Sequence, residues 1–375
     1  MNYRKQIDTH GVITDHGLSE LRSKIGIEFP VPYQFNYYAT KDTIEHFAIG
    51  IDDINPLWRD EEYARNTNYK GIIAPPTFLE TTGPAMPRPF GLPGVHSLNA
   101  GAEFEFYLPV KMNDKITSVI CLSNLTEKPS KFSARSFLQE WLLTYRNQSN
   151  EIIATQRRWS IRSERSAARG KGKLKDIALQ HYTDEEIHSI WADYDRQEIR
   201  GSNPRYWEDV HESDELTPVV KGPLTITDMV AFKIGWGFEP FAYGSHFRLL
   251  YMRRHPAAAI KNALGIPDVP ERVHWENELA LTSGLPAAYD YGPQRGSWLA
   301  QLFTNWMGDD GRIKRLKYEL RGINIIGDTT WCKGKVTKKY IQDGEHLVDV
   351  DCWGVNQRGD ITCPGNATII LPSGK

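Results

Sequence analysis

One imidazole in this chain stands within reach of chemistry. His274 lies in Val273-His274-Trp275-Glu276, six residues after the carboxylate of Asp268. Histidine titrates near neutral pH, and a carboxylate beside it can fix its tautomer, so such a pair can pass protons. An acidic loop earlier in the chain, Ile51-Asp52-Asp53-Ile54-Asn55-Pro56-Leu57-Trp58, carries Asp53 but ends on an indole, which exchanges no proton at neutral pH. Two stretches, 71–75 and 292–295, hold prolines that mark the first turn of a helix, where the backbone N–H is unpaired in any case. Those unpaired groups, at the positive end of the helix dipole, suit a developing negative charge. Gly71 and Gly292 are the candidates there. Asp290 and Arg295 flank the second start; Asp290 caps that helix or, with Arg295, meets a ligand.

The elements that must position these residues are written twice. Asn147-Gln148 and Asn356-Gln357, each at the end of an apolar strand pattern, stand 209 positions apart (147 to 356) in 375 residues. A supersecondary unit duplicated and packed against itself explains this spacing. In the first copy a short helix is expected over 43–50 and a second from 71–80. Strands follow over 102–108, 116–122, 137–145 and 152–161, where alternation such as Phe104-Glu105-Phe106 signals a half-buried strand. In the second copy Thr227 or Asp228 is expected to cap a helix. The stretch 292–307 then places Trp298, Leu299, Leu302, Phe303, Trp306 and Met307 on one wide helical stripe. That stripe is core, and it needs a concave sheet around it. Strands over 313–320, 330–336, 347–353 and 366–371 supply one. A helix followed by antiparallel strands, twice, is an α+β plan.

Composition excludes several classes. Apolar residues at 40% and charged residues at 25% describe a chain that can bury a sizeable core, and the formal charge of −2 gives no case for a nucleic-acid or membrane partner. No apolar run approaches the roughly 20 residues of a spanning helix, and the start lacks a signal-peptide pattern. The four cysteines have no paired spacing, so neither a metal site nor a disulfide framework is signalled. The cytoplasm is the expected compartment. A basic, Gly-containing stretch over 162–175 reads as a solvated connector or, more sharply, as a basic strap over a ligand's phosphates.

The acidic loop, continued as Arg59-Asp60-Glu61-Glu62-Tyr63-Ala64, resembles the hydratase loop of MaoC-like enoyl-CoA hydratases/dehydratases. The turn Pro109-Val110-Lys111-Met112-Asn113-Asp114 and the stretch Ile325-Ile326-Gly327-Asp328 resemble that family's strand connections. The resemblance covers about 30–162 and 205–372, the first half being similar to the fatty-acid-synthase-type domain. It implies a double hot dog: units over 1–162 and 205–375, a basic linker and connecting helix over 163–204, and an insertion at about 238–273. It also implies hydration of a 2-enoyl-CoA, or the reverse, with coenzyme A as part of the substrate and no separate cofactor.

The family pattern needs an Asp and, five residues on, a His. In the first copy the His position is Trp58, and in the second His274 stands in that slot while Val269 replaces the Asp. His274 is therefore the expected base, with Asp268 its first-choice carboxylate and Asp53 the second. Asp290, Gly292, Arg295, Gly71 and Trp58 are the expected substrate contacts. Phe238, Phe241, Tyr243, Phe247 and Tyr251 of the insertion are candidates to line an acyl pocket. Two incomplete loops also suit a non-catalytic acyl-CoA-binding subunit that completes a site with a separate hot-dog partner; a homodimer is the other expected assembly. A hot-dog thioesterase ranks last, because 296–307 contain no acid; Glu80 is the acid that keeps it open.

Overall fold

Residues 11–31, 34–83, 92, 94–129, 135–164, 177–237, 244–282 and 284–374 are described by a computed structural model. Ten strands make one continuous sheet: β1 (Glu28–Pro30), β2 (His96–Phe106), β3 (Thr117–Glu127), β4 (Ser136–Arg146), β5 (Ile152–Ser163), β6 (Val219–Lys221), β9 (Arg312–Glu319), β10 (Thr330–Gln342), β11 (Glu345–Asn356) and β12 (Ile361–Ile370). Their order is β1-β3-β4-β5-β2-β9-β12-β11-β10-β6, so each half contributes five neighbouring strands. The halves meet where β2 pairs antiparallel with β9, Ala102 opposite Tyr318 and Phe104 opposite Leu316. A separate ribbon, β7 (Ile260–Lys261) and β8 (Pro267–Asp268), belongs to the insertion. This is the double hot dog, an α+β fold, and its eight long strands stand where alternation puts them.

The helices are α1 (Asp15–Arg22), α2 (Lys41–Gly50), α3 (Glu61–Arg65), α4 (Asp184–Asp195), α5 (Ile226–Trp236), α6 (Ser245–Arg254), α7 (Asn277–Thr282) and α8 (Gly292–Met307). Every residue of α8 from Pro293 to Met307 is buried, because strands of the second half and β2 of the first wrap it. Its aromatic stripe is core. The first half differs. Among the described residues its counterpart is a six-residue 3₁₀ helix, Pro76–Thr81, and not a long α-helix. The cap of α5 is Thr225, whose hydroxyl accepts from Asp228 N–H while the Asp228 carboxylate accepts from Thr225 N–H, so Thr227 and Asp228 are both inside the helix. The basic stretch also begins later than expected: Arg162 is a buried residue of β5 that donates to Gln139 and to the Leu92 and Val95 carbonyls, while 165–176 lie outside the described residues.

The repeated Asn-Gln pair has a structural reason. Asn147 Oδ1 accepts from the N–H groups of Ser149 and Glu151, and Asn356 Oδ1 accepts from those of Arg358 and Asp360. Gln148 donates to Asp114 at 2.9 Å and accepts from Lys115 N–H; Gln357 donates to Asp328 at 2.8 Å and accepts from Thr329 N–H. Asp114 and Asp328 in turn accept from Lys111 and Ile325 N–H. Each copy thus locks one hairpin turn to the turn that opens an earlier strand of its sheet. The lock needs an amide that both donates and accepts, which is why the pair recurs.

The copies also meet at α2 and α5, glycine against glycine. A Cβ on Gly50 would lie 2.9 Å from the Ala231 carbonyl oxygen, and one on Gly235 would lie 2.4 Å from that of His46 and 3.0 Å from Phe47 Cα. Gly235→Ala therefore forces two backbones apart. Overpacking of this kind costs about 1–3 kcal/mol, more than the ~1 kcal/mol that alanine gains over glycine inside a helix. A lowered midpoint in urea is the expected result; an unchanged or raised midpoint would mean that the crossing relaxes freely.

Candidate active site

His274 closes a 3₁₀ turn, Pro270–His274, directly after the β7–β8 ribbon. Its Nδ1 lies 2.8 Å from the Tyr289 carbonyl oxygen. A carbonyl only accepts, so Nδ1 carries the proton and Nε2 carries the lone pair. No hydrogen bond to Nε2 is formed among the described residues. The ring stacks on Tyr291 with centroids 4.0 Å apart and planes 22° off parallel, and it tilts against Tyr289 at 4.4 Å. Burial among these groups disfavours the imidazolium and pushes His274 down to about 4. It is a neutral base, fixed in tautomer and orientation.

Tyr289 and Tyr291 immediately precede α8, so the clamp that holds His274 also sets it beside the helix start. Tyr291 is the N-cap residue, followed by Gly292 and Pro293. Gly292 N–H has no acceptor among the described residues, while Gln294 and Arg295 N–H both reach the Tyr291 carbonyl. A Cβ at Gly292 would lie 2.5 Å from Leu320 Cδ1 and 3.0 Å from Asn99 Nδ2. Glycine lets the two units approach at this point. An imidazole base and an unpaired N–H at a buried helix N-terminus are the parts that an addition to an activated double bond requires.

The other expected site residues are distributed differently. Asp268 lies in the ribbon, where its carboxylate meets Arg248 at 3.2 Å, Arg272 at 3.8 Å and Val269 N–H at 2.8 Å. Its described partners are those of a residue tying α6 to the 3₁₀ turn, and His274 is not among them. Asp290 does not cap α8. It is 1% exposed, pairs with Arg295 Nε at 2.9 Å and accepts from the Asn324 side chain at 2.9 Å. Burial pushes its carboxyl up to about 6, against the pull of Arg295. Arg295 also donates to the Gly322 and Thr362 carbonyls, so the pair ties α8 to the sheet. Gly71 lies outside any helix, and a Cβ there would meet nothing within 4 Å, so no close approach requires glycine.

Asp53 and Trp58 belong to the first copy's loop. Asp53 is buried and accepts from Asn55 N–H at 3.1 Å; burial raises its pKa. Trp58 is buried and its indole N–H approaches Asp53 without forming an aligned hydrogen bond. Trp58 faces a narrow apolar cavity of about 60 Å³, shared with Tyr69, Leu79, Phe106, Thr304 and Met307 at the C-terminal end of α8. The two loops therefore serve opposite ends of the same helix. The first is pinned from the second half by Lys221, whose Nζ donates to the Ile51 and Asp52 carbonyls, and by Gln301, which donates to the Asp52 carbonyl. Neither residue carries a sequence signal for this contact.

Of the insertion, 238–243 lie outside the described residues, including Phe238, Phe241 and Tyr243. Phe247 is exposed; Tyr251 is half-buried and lies close enough to Glu271 for that charge to raise its pKa, after burial. Glu80 is fully buried with Arg158 at 2.7 Å and Gln156 at 2.7 Å, each on its own oxygen. No helix among the described residues is long and apolar enough to cross a membrane.

The sequence profile of the FAS1-like dehydratase domain region matches residues 23–156. A UPF0336 protein of Thermobifida fusca is 32% identical over 106 residues, 27% of this chain and 65% of that protein. A protein named "Probable enoyl-CoA hydratase alpha subunit" from Thermomonospora curvata is 27% identical over 157 residues, 36% of this chain and 48% of that one. In both cases the chain spans less than two thirds of the relative. A solved MaoC-like dehydratase superposes with a TM-score of 0.63 at 16% identity, covering 94% of this chain and 100% of that one. A Mycobacterium tuberculosis protein described as a double hotdog fold gives 0.54 at 10% identity, covering 94% and 98%. The two structural likenesses show the fold, a double hot dog. Within the first unit, residues 23–156 resemble the FAS1-like dehydratase domain region.

Proposed function

We propose that the chain adds water to the Cα=Cβ bond of a 2-enoyl-CoA thioester, or removes it from the 3-hydroxyacyl-CoA, with His274 as the base. The observation that carries this reading is the imidazole's geometry. Nδ1 is fixed on the Tyr289 carbonyl, Nε2 is left to accept, and the helix start at Gly292 comes directly after the clamp. In hydration, water gives a proton to Nε2 as its oxygen bonds Cβ, and the thioester oxygen gathers charge against Gly292 N–H. The family match and the relative named as an enoyl-CoA hydratase subunit support the same reaction class. The purified chain should remove the enoyl absorbance of a short 2-enoyl-CoA in a continuous assay. No loss with any chain length, alone or with a hot-dog partner, would dismiss the proposal.

A second reading has one observation in its favour. Asp268, the first-choice carboxylate, is engaged by two guanidiniums, which suits an acyl-CoA-binding subunit of a hetero-complex. On that reading the chain binds a CoA ester and turns over nothing until its partner is added. The acyl group, the assembly and a cytoplasmic location belong with these proposals.

A further inference from the structure

The MaoC-type loop supplies a carboxylate five residues before its histidine, and here that position is Val269. The described carboxylates between 268 and 290 are mostly occupied or remote. Asp268 is held by Arg248 and Arg272, Glu276 by Arg272, and Asp290 by Arg295 and Asn324, while Glu278 is exposed. Glu271 is different. It is 7% exposed, its Oε1 accepts from the Tyr291 hydroxyl at 3.1 Å and lies 3.2 Å from Lys233 Nζ, and its Oε2 is buried with no hydrogen-bond partner among the described residues. Glu271 and His274 are three residues apart on one 3₁₀ turn, a geometry in which positions i and i+3 eclipse. They also share a neighbour, for the Tyr291 ring stacks on His274 while its hydroxyl binds Glu271. A buried carboxylate oxygen without a partner is costly and calls for an explanation.

We propose that Glu271 is the acid of this site, standing in for the aspartate that the loop has lost. The proposal rests on the hydratase reading above. In hydration, the protonated Oε2 gives its proton to Cα while His274 Nε2 takes one from the water whose oxygen bonds Cβ. The C=C π bond is consumed, one C–O and one C–H bond form, and the imidazolium returns its proton to the Glu271 carboxylate through solvent. Lys233 and Tyr291 keep Oε1 fixed throughout. Burial raises Glu271 above the usual carboxylate range, which favours the proton-carrying form.

The test compares Glu271→Gln, Glu271→Asp and the double variant Glu271→Gln/Lys233→Met, which removes the buried charge pair as a unit. Hydration of crotonyl-CoA is followed against pH, and folding by thermal melting. Glu271→Gln is expected to lower kcat at least 100-fold with KM within about threefold, and to abolish the alkaline limb of the kcat profile. Glu271→Asp should regain about tenfold of that loss. The double variant, with a restored melt, should stay as inactive as the single one; this result decides the matter if Glu271→Gln alone does not fold. If the wild type is active and His274→Ala is not, yet the double variant turns over within threefold of wild type, Glu271 has only a structural role. A wild type inactive on crotonyl-CoA and on longer 2-enoyl-CoAs, alone and with a hot-dog partner, would overturn the hydratase reading itself, and this assignment with it.

Discussion

With His274 replaced by alanine, hydration of a 2-enoyl-CoA should fall by about 10²- to 10⁴-fold, the range that a positioned general base contributes. The loss should appear in kcat, since the ring contributes little apolar area to binding and its described contacts are to Tyr289 and Tyr291. The pH profile is the sharper readout. An exposed histidine would lose its basic form near 6.5, whereas this one holds it down to about 4 because burial disfavours the charged ring. The wild-type kcat/KM should therefore show no acid limb near 6.5 and fall only towards pH 4. The same shift fixes a stability effect. Between about 6.5 and 4 the unfolded chain takes a proton at His274 that the folded chain refuses, so the fold weakens as pH falls through that window. An acid limb at 6.5 that survives in His274→Ala would assign the base elsewhere.

Asp290→Ala should cost about 3–5 kcal/mol of folding free energy, because it leaves the Arg295 guanidinium buried without its counter-charge. The two side chains are 0% and 5% exposed, so solvent does not replace the lost partner. The loss is specific to breaking the pair. Replacing both residues by apolar groups of similar size should recover much of it. Asp290 also contributes a pH dependence opposite in sign to that of His274. Its raised value of about 6 means that its contribution is fully present below 3.8 and is lost as pH rises through 6. Urea melts at pH 7 of the single variant and of Asp290→Leu/Arg295→Met measure the loss and its recovery, and wild-type melts between pH 3.8 and 7 measure the pH dependence. A single variant as stable as wild type would show that water reaches Arg295.

The repeat was readable because its signals are local. Strand alternation, the apolar stripe of α8 and the paired Asn147 and Asn356 turns each depend on residues within one element. His274 was readable as an imidazole in an aligned slot. Its carboxylate was not. Asp268 is the nearest aspartate upstream, one residue off the family spacing, yet Arg248, 20 residues before it, draws its carboxylate into the ribbon. Glu271 is an ordinary acid in the sequence until Tyr291, 20 residues later, packs its ring on His274 and its hydroxyl on Glu271. The first copy misled for a related reason: the prolines at 75 and 76 mark a helix start, but the segment they open is a short 3₁₀ helix that ends at Thr81.

Within the chain, pattern and composition alone determine a twice-written helix-and-strand plan, the apolar faces of its strands and the slot that His274 fills. These arise from backbone periodicity, which each segment carries by itself. Tertiary structure decides which polar groups answer one another: Gly50 against Gly235, Lys221 and Gln301 on the first loop, Asp290 with Arg295, and Glu271 under Tyr291. Such pairings join positions 5 to 249 residues apart. They are fixed by packing within the second unit and between the two units, because burial makes an unmatched charge or hydrogen-bonding group costly and so selects its partner.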